Sequence, residues 1–276
     1  MKKTLLLLLI LPLFNYGLSA QVLDFKTGYS PETIYNQTTI SSSDYKVTYT
    51  GSEKTLDLFK KNGTQNPSKI KNRFTVETVS KTGKIDQNGN FPITIEYVKS
   101  IDKKGNSIIP SGTMLYGNAT LSSMPQMDSI VADNAEESFK NAIFETVKST
   151  FSQLVMPQKK LKIGESFVQE SPLTIPIAGV NIEMVINTTY ILKSMNSKNA
   201  FFDITQTYTM KLLDNRFETE GTGTGTGKLI YDIPHHFIYE NIMDMELDLN
   251  LKHTDFGINL TSKNRYKQKA QISTNN

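Results

Sequence analysis

The residues able to do acid, base or metal chemistry are few in this sequence and poorly placed. There are three histidines. His235 and His236 are neighbours, so an extended chain points them to opposite faces. His253 stands at the far end of the run 237–252, roughly 50 Å away if that run is a strand. The three read as turn residues rather than a metal site. Gly164-Glu165-Ser166-Phe167-Val168 resembles half of a nucleophile elbow, but Val168 takes the place of the second glycine and a strand pattern follows instead of a helix. Asp244, Glu246 and Asp248 share one face, about 7 Å apart at each step of two. That spacing would suit a glycosidase or weak calcium binding. Cross-strand charge pairing is the plainer account: a tight turn at 253–254 brings Asp244 to Lys263 and Glu240 to Lys267, with Arg265 between them. No catalytic residue, cofactor site or metal site is assigned.

Gly221-Thr222-Gly223-Thr224-Gly225-Thr226-Gly227 invites a nucleotide reading and fails on spacing. Thr222 stands where the first glycine of a phosphate loop belongs, and Leu229 where Ser or Thr would meet magnesium. Thr226 takes the third-glycine position of the dinucleotide fingerprint. Continuing the alternation from Phe217 to Leu229 puts all four glycines on the apolar face and the threonines in solvent. Such glycines mark a strand that something approaches closely, or a bend in the sheet.

The elements around this run are strands. Ile182, Met184, Ile186, Tyr190 and Leu192 alternate with polar residues. So do Phe202, Ile204, Tyr208, Met210 and Leu212, and the series from Phe237 to Leu251. Period two with one polar face predicts half-buried antiparallel strands. Turn-like breaks divide the C-terminal part into a meander over 180–195, 200–213, 217–233, 237–252 and 256–268. Strands of this length cannot stay flat, because sheets twist. One helix is expected over 134–155, with Asn134 as cap, Glu137 completing a capping box, and a stripe of Phe139, Ile143, Val147, Phe151 and Leu154 that ends at Pro157. In the N-terminal half Tyr45, Val47 and Tyr49 alternate, and Asn88-Gly89-Asn90 predicts a hairpin between strands near 72–86 and 91–102. Residues 51–69 read as a polar loop. The expected fold is mostly β (α+β): a large curved antiparallel sheet of long strands wrapped around one central helix near 134–155. The phenylalanines of that helix would pack against the glycine strip.

The N-terminus bounds the compartment. Lys2 and Lys3, an apolar run from Leu5 to Phe14, then Gly17, Ser19 and Ala20 follow the order of a secretory signal peptide. Cleavage after Ala20 leaves Gln21 first, and cleavage after Ser19 is the alternative. The domains are then a signal peptide at 1–20 and a single β-rich domain at 21–276. The chain has no cysteine, which closes a lipid anchor on a post-signal cysteine, disulfides and thiolate metal sites. The formal charge of +3 falls by two when Lys2 and Lys3 leave. That is no footprint for nucleic acid or acidic membrane. No second apolar stretch approaches membrane-spanning length. The expected location is exported, periplasmic or secreted, and not lipid-anchored.

Leu161-Lys162-Ile163-Gly164-Glu165-Ser166-Phe167, the long alternating strands, and Gly225-Thr226-Gly227-Lys228-Leu229-Ile230-Tyr231-Asp232 together resemble a group of secreted bacterial β-rich proteins known only as a domain of unknown function. In that group a Lys-x-Gly-Asp/Glu-Ser-Trp/Phe segment leads into the C-terminal strands, and no catalytic residues come with the likeness. A curved sheet around a helix is also similar in architecture to periplasmic lipoprotein carriers, although fold alone does not fix function. The expectation is an exported non-enzymatic protein that binds or carries an apolar ligand or lipid; the alternative is a structural or envelope-interaction protein with a filled core. Candidate lining residues of the cavity or core are Phe139, Ile143, Phe151, Met184, Ile186, Tyr208, Met210, Met243 and Met245. Methionine there suits ligands of variable shape and is also an ordinary core filler.

Overall fold

A computed structural model describes residues 21–274, apart from 122, 134, 154–156, 178–179 and 213–217. The leader at 1–20, the proposed cap Asn134, and the stripe position Leu154 lie outside the described residues. In chain order the elements are β1 (Val22–Phe25), β2 (Thr33–Gly51), α1 (Glu53–Lys61), β3 (Ser68–Thr82), β4 (Asn90–Ile101), β5 (Thr113–Thr120) and β6 (Ser123–Val131). Then come α2 (Glu137–Gln153), β7 (Lys159–Lys162), β8 (Ser166–Ile177), β9 (Val180–Met195), β10 (Asn199–Leu212), β11 (Glu218–Asp232), β12 (Phe237–Lys252) and β13 (Phe256–Thr274).

Eleven strands form one antiparallel sheet in the order β6-β5-β4-β3-β2-β13-β12-β11-β10-β9-β8, and β1 pairs with β7 in a separate two-stranded ribbon. The sheet is not closed into a barrel. The protein is thus mostly β; the first four strands of the C-terminal meander fall within one residue of the bounds read from the alternation, and β13 runs on past 268 to Thr274. Asn88-Gly89 makes the β3–β4 turn: the Asp86 carboxylate accepts from the amides of Asn88 and Asn90 at 2.8 and 2.9 Å, and Gly89 takes φ +82°. That is a left-handed conformation in which a side chain would be strained.

Residues 53–61 are helical, not loop. Ser52 caps the helix, its hydroxyl accepting from the Thr55 amide. Phe59 sets its ring 5.0 Å from that of Tyr49 and 5.7 Å from that of Phe256. The polar composition of 51–69 hid a short amphipathic helix whose apolar contact is mainly one phenylalanine.

One face of the sheet, called inner here, carries the core in three clusters. The first joins Phe167, Leu192, Phe202, Leu229 and Tyr231 of β8–β11 to Leu23 and Phe25 of β1 and Leu161 of β7. Phe25 lies within 4.9–5.4 Å of the rings of Phe167, Phe202 and Tyr231. The second joins Tyr35, Phe91, Ile93, Leu115 and Met127 of β2 and β4–β6 to Tyr29 and Phe237. The third, at the far ends of the long strands, holds Leu249, Leu251 and Ile258. Segment 22–30 therefore plugs both main clusters, with Phe25 in one and Tyr29 in the other. Fully burying each such aromatic is worth about 1.5–3 kcal/mol.

Candidate functional site on the inner face

Four rows of side chains cross β9–β12 on the inner face. Met184 pairs with Met210, whose thioether lies over Gly221, which pairs with Leu249. The next row is Ile186, Tyr208, Gly223 and Leu247. The third is Thr188, Gln206, Gly225 and Met245, and the fourth Tyr190, Ile204, Gly227 and Met243. The glycines do face inward and Thr222, Thr224 and Thr226 are exposed. What fills the space above them comes from neighbouring strands. A Cβ at Gly223 would stand 2.7 Å from the Tyr208 ring, and one at Gly225 2.9 Å from Gln206 Oε1. The expected packing of the α2 phenylalanines on this strip is not observed. Met184 and Met243 are buried, while Ile186, Tyr208, Met210 and Met245 are half-buried. The Tyr208 hydroxyl donates to Gln206 Oε1 at 2.9 Å, and Gln206 Nε2 donates to the Thr188 hydroxyl at 3.0 Å. A polar thread thus runs through an otherwise apolar lattice.

Helix α2 lies on the other half of the sheet, against β6. Ile143 is buried, and Phe144, Val147 and Phe151 pack on the cluster built from β2 and β4–β6. Phe139 is 40% exposed and takes no part. The nine candidate residues therefore fall into two groups on separate halves of the sheet: Phe139, Ile143 and Phe151 on α2, of which Phe139 is exposed, and six on β9, β10 and β12. Glycine strip and helix share apolar character in the sequence, but nothing in a one-dimensional pattern says which half of an eleven-stranded sheet the helix covers.

Between α2 and the sheet lies a cavity of about 260 Å³. Phe151, Val147, Thr146 and Thr150 line it from the helix, and Gln37, Thr39, Val76, Thr78, Ser80, Ile95, Tyr97 and Leu115 from β2–β5, with Tyr29 at one side. Of the nine candidates only Phe151 reaches it. Burial pushes the Tyr29 hydroxyl up to about 12, and the nearby Ser80 hydroxyl holds back part of that rise. Burial also raises Tyr97. Ser80 is fully buried, and its hydroxyl engages that of Tyr29. The signal the sequence held was polar residues at inward positions of β2 and β3, at 37, 39, 78 and 80, where the period-two pattern calls for apolar ones.

The β11–β12 turn ties both histidines to neighbours. The Tyr231 hydroxyl donates to the Lys26 carbonyl at 2.6 Å and sits 2.9 Å from His236 Nδ1. A phenol has one proton, so His236 Nδ1 is the donor in the second contact and Nε2 carries the lone pair. Burial, then Lys26, lowers the pKa of His236, while Asp24 and Asp232 oppose the shift. His235 Nδ1 lies 2.8 Å from Asp232 Oδ1. Ser30 Oγ donates to the His235 carbonyl and the Gly28 amide to that of His236. Both histidines serve to fasten the turn to segment 22–30.

The outer face carries charge. One row runs Thr224, Glu246, Lys263, Asp44 and Lys71 across five strands, and a groove of about 670 Å³ lies along it. Glu246 pairs with Lys263 at 2.8 Å, Asp44 with Lys71 at 2.9 Å, Glu240 with Lys267 at 3.5 Å and Asp244 with Arg265 at 3.6 Å. The expected Asp244–Lys263 pair is displaced by two residues, because Lys252 pairs with Gly257 and the loop is longer than a tight turn at 253–254. Alternating signs leave this face without a single-sign field.

Among the described residues no helix is long and apolar enough to cross a membrane. No family model matches the chain, and no curated protein does. Solved structures similar to it include a mutant porin of Rh. blastica, 10% identical over 86% of this chain and 100% of that one, with a TM-score of 0.23. Another, from a structure described as "Asymmetric conductivity of engineered proteins", is 9% identical over 87% of this chain and 100% of that one, also at a TM-score of 0.23. At that TM-score neither likeness carries weight for fold or role.

Proposed function

We propose that this chain is exported, is cleaved near Gln21, and acts as a non-enzymatic binding protein for an apolar or amphipathic small molecule, the sheet curving around α2 so that the two enclose the ligand. The observation that carries this reading is the cavity between α2 and the inner face. Its walls combine aromatic and aliphatic side chains with a few convergent polar groups, the usual make-up of a small-molecule site. The polar groups are hydroxyls and one amide, with no base among them to activate a nucleophile. The inner face beyond the helix adds half-buried Met245 and Leu247 and exposed Ile70 and Phe74, over which an apolar chain could extend.

A structural or envelope-interaction role is the second reading. Its support is specific: buried Met243 fills the room over Gly227 and Met210 that over Gly221, so methionine here serves packing. Native mass spectrometry of protein purified from its own host, with lipid extraction of the same sample, separates the two. A co-purifying small molecule lost on Val147→Trp, which fills the cavity from the helix, supports the binder. A ligand-free protein that also ignores a fluorescent fatty-acid analogue and a fluorescent monoacylglycerol favours the structural role.

A further inference from the structure

The polar wall of the cavity says what kind of head group it would hold. Among the described residues lining it none is charged: the polar ones are Tyr29, Gln37, Ser80, Tyr97 and threonines. Thr146 and Thr150 spend their protons on helix carbonyls, of Ala142 at 2.7 Å and of Thr146 at 2.8 Å. What they offer the cavity is lone pairs, which call for a donor. Ser80 Oγ is fully buried and engages the Tyr29 hydroxyl, so the group that offers the cavity both a donor and an acceptor is Gln37, through its amide. A ligand group that donates and accepts at once, a hydroxyl or a primary amide, answers this set. A carboxylate cannot donate and an ammonium cannot accept, and either would be buried without a counter-charge, which costs far more than burying a paired neutral group.

Size limits the head further. At about 30 Å³ for a water-sized group, 260 Å³ holds about nine such groups. That is a polyol or amide head with the first few carbons of a tail, not a whole lipid.

We infer that the cavity beneath α2 takes the uncharged, hydroxyl- or amide-bearing end of a small amphipathic molecule and discriminates against anionic and cationic heads, an inference that rests on the binder reading above. The same chemistry is presented by a free polyol and by the head of a monoacyl lipid, and the difference between them is the tail.

Four probes test this against the mature chain by calorimetry: monolauroylglycerol, laurate, dodecylammonium and glycerol alone. Monolauroylglycerol should bind at least on the order of tenfold more tightly than either charged analogue, with an affinity that stays flat across neutral pH because no lining group titrates there. Tight binding of glycerol itself would identify a free polyol as the source and still support the head chemistry. Two variants sharpen the result. Gln37→Leu, which removes the amide from the wall, should weaken monolauroylglycerol on the order of tenfold. Thr150→Lys, at an exposed helix position, should bring an ammonium to the rim and raise laurate affinity. Equal or tighter binding of laurate or dodecylammonium to the unmodified chain overturns the neutral-head inference and leaves the binder reading standing. Failure of all four probes to bind removes the binder reading, and this inference with it.

Discussion

Replacing Gly223 by alanine tests whether a strand neighbour, not the helix, occupies the space above the glycine strip. Gly223 is buried and pairs directly with Tyr208. The new Cβ would lie 2.7 Å from two ring atoms of Tyr208 and 2.9 Å from its Cβ. Ring atoms can swing, but the Tyr208 Cβ is fixed to the backbone, so the strand itself must give. Overpacking of this kind costs about 1–3 kcal/mol. Alanine in a strand returns about 0.5–1 kcal/mol relative to glycine. The net expectation is a loss of about 0–2.5 kcal/mol, and displacement of Tyr208 would also strain its hydrogen bond to Gln206.

A double-mutant cycle makes the cause visible. In a Tyr208→Gly background the ring and the Cβ are both gone, and Gly223→Ala should turn stabilising by about 0.5–1 kcal/mol. The change of sign corresponds to a coupling of about 1–3 kcal/mol. In a Phe151→Ala background Gly223→Ala should keep its original cost within about 0.5 kcal/mol, because distant sites add. Urea denaturation monitored by tyrosine fluorescence and far-UV circular dichroism measures all three. If Gly223→Ala has the same sign and size with and without Tyr208, the ring does not own that space. If it couples to Phe151 instead, the helix does.

Other substitutions probe separate features. Tyr231→Phe removes the donor to the half-buried Lys26 carbonyl and should cost about 0.5–1.5 kcal/mol in urea denaturation, freeing segment 22–30 so that its amides exchange faster. His236 has a folded pKa below its ordinary value of 6.5, so its contribution to stability is present above that value and is lost as pH falls towards the lowered folded pKa. His236→Asn, which tolerates the φ of +54° at this position, should shrink the stability difference between about pH 7 and about pH 5, and an unchanged difference would move the effect to other groups. Glu246→Gln breaks the exposed pair with Lys263 and should lower the melting temperature slightly at low salt and not at high salt, since exposed pairs are screened.

The C-terminal meander was legible because each of its strands has one wet face, which writes a period of two into the sequence. Strands β5 and β6 are short; outward Met114 and Tyr116 weaken the alternation of β5, and β6 has only Pro125 and Met127 buried, so their signal is little different from that of a loop. The strand β1 is four residues long and packs through Leu23 and Phe25 alone, yet both are almost wholly buried. No periodicity can announce an element with two inward residues. The glycine strip was legible as a close-approach site, but what approaches it depends on register: Gly223 faces Tyr208 only because β10 pairs with β11 in the alignment that also sets Asn199 opposite Asp232. The cavity was the least legible part. Its polar wall is made of threonine, serine and glutamine on inward positions, residues that in isolation read as the solvated side of a strand.

An open sheet of eleven strands has two edges, and each is handled differently. The β6 edge is met by α2, which follows it in the chain and packs against it. Among the described residues the β8 edge has no partner strand in the sheet order, and a long bare edge invites pairing with another chain. Its sequence answers in the backbone. Pro172 pairs opposite Val185 and Pro176 opposite Asn181 within one continuous ladder to β9. The two are four residues apart, so in a strand their nitrogens point the same way. A proline nitrogen has no hydrogen to donate, and two of them turned towards β9 would interrupt the ladder twice, so they face the open side. There they remove donors that an incoming strand would need. The two prolines and the helix thus stand at the two edges that barrel closure would have removed.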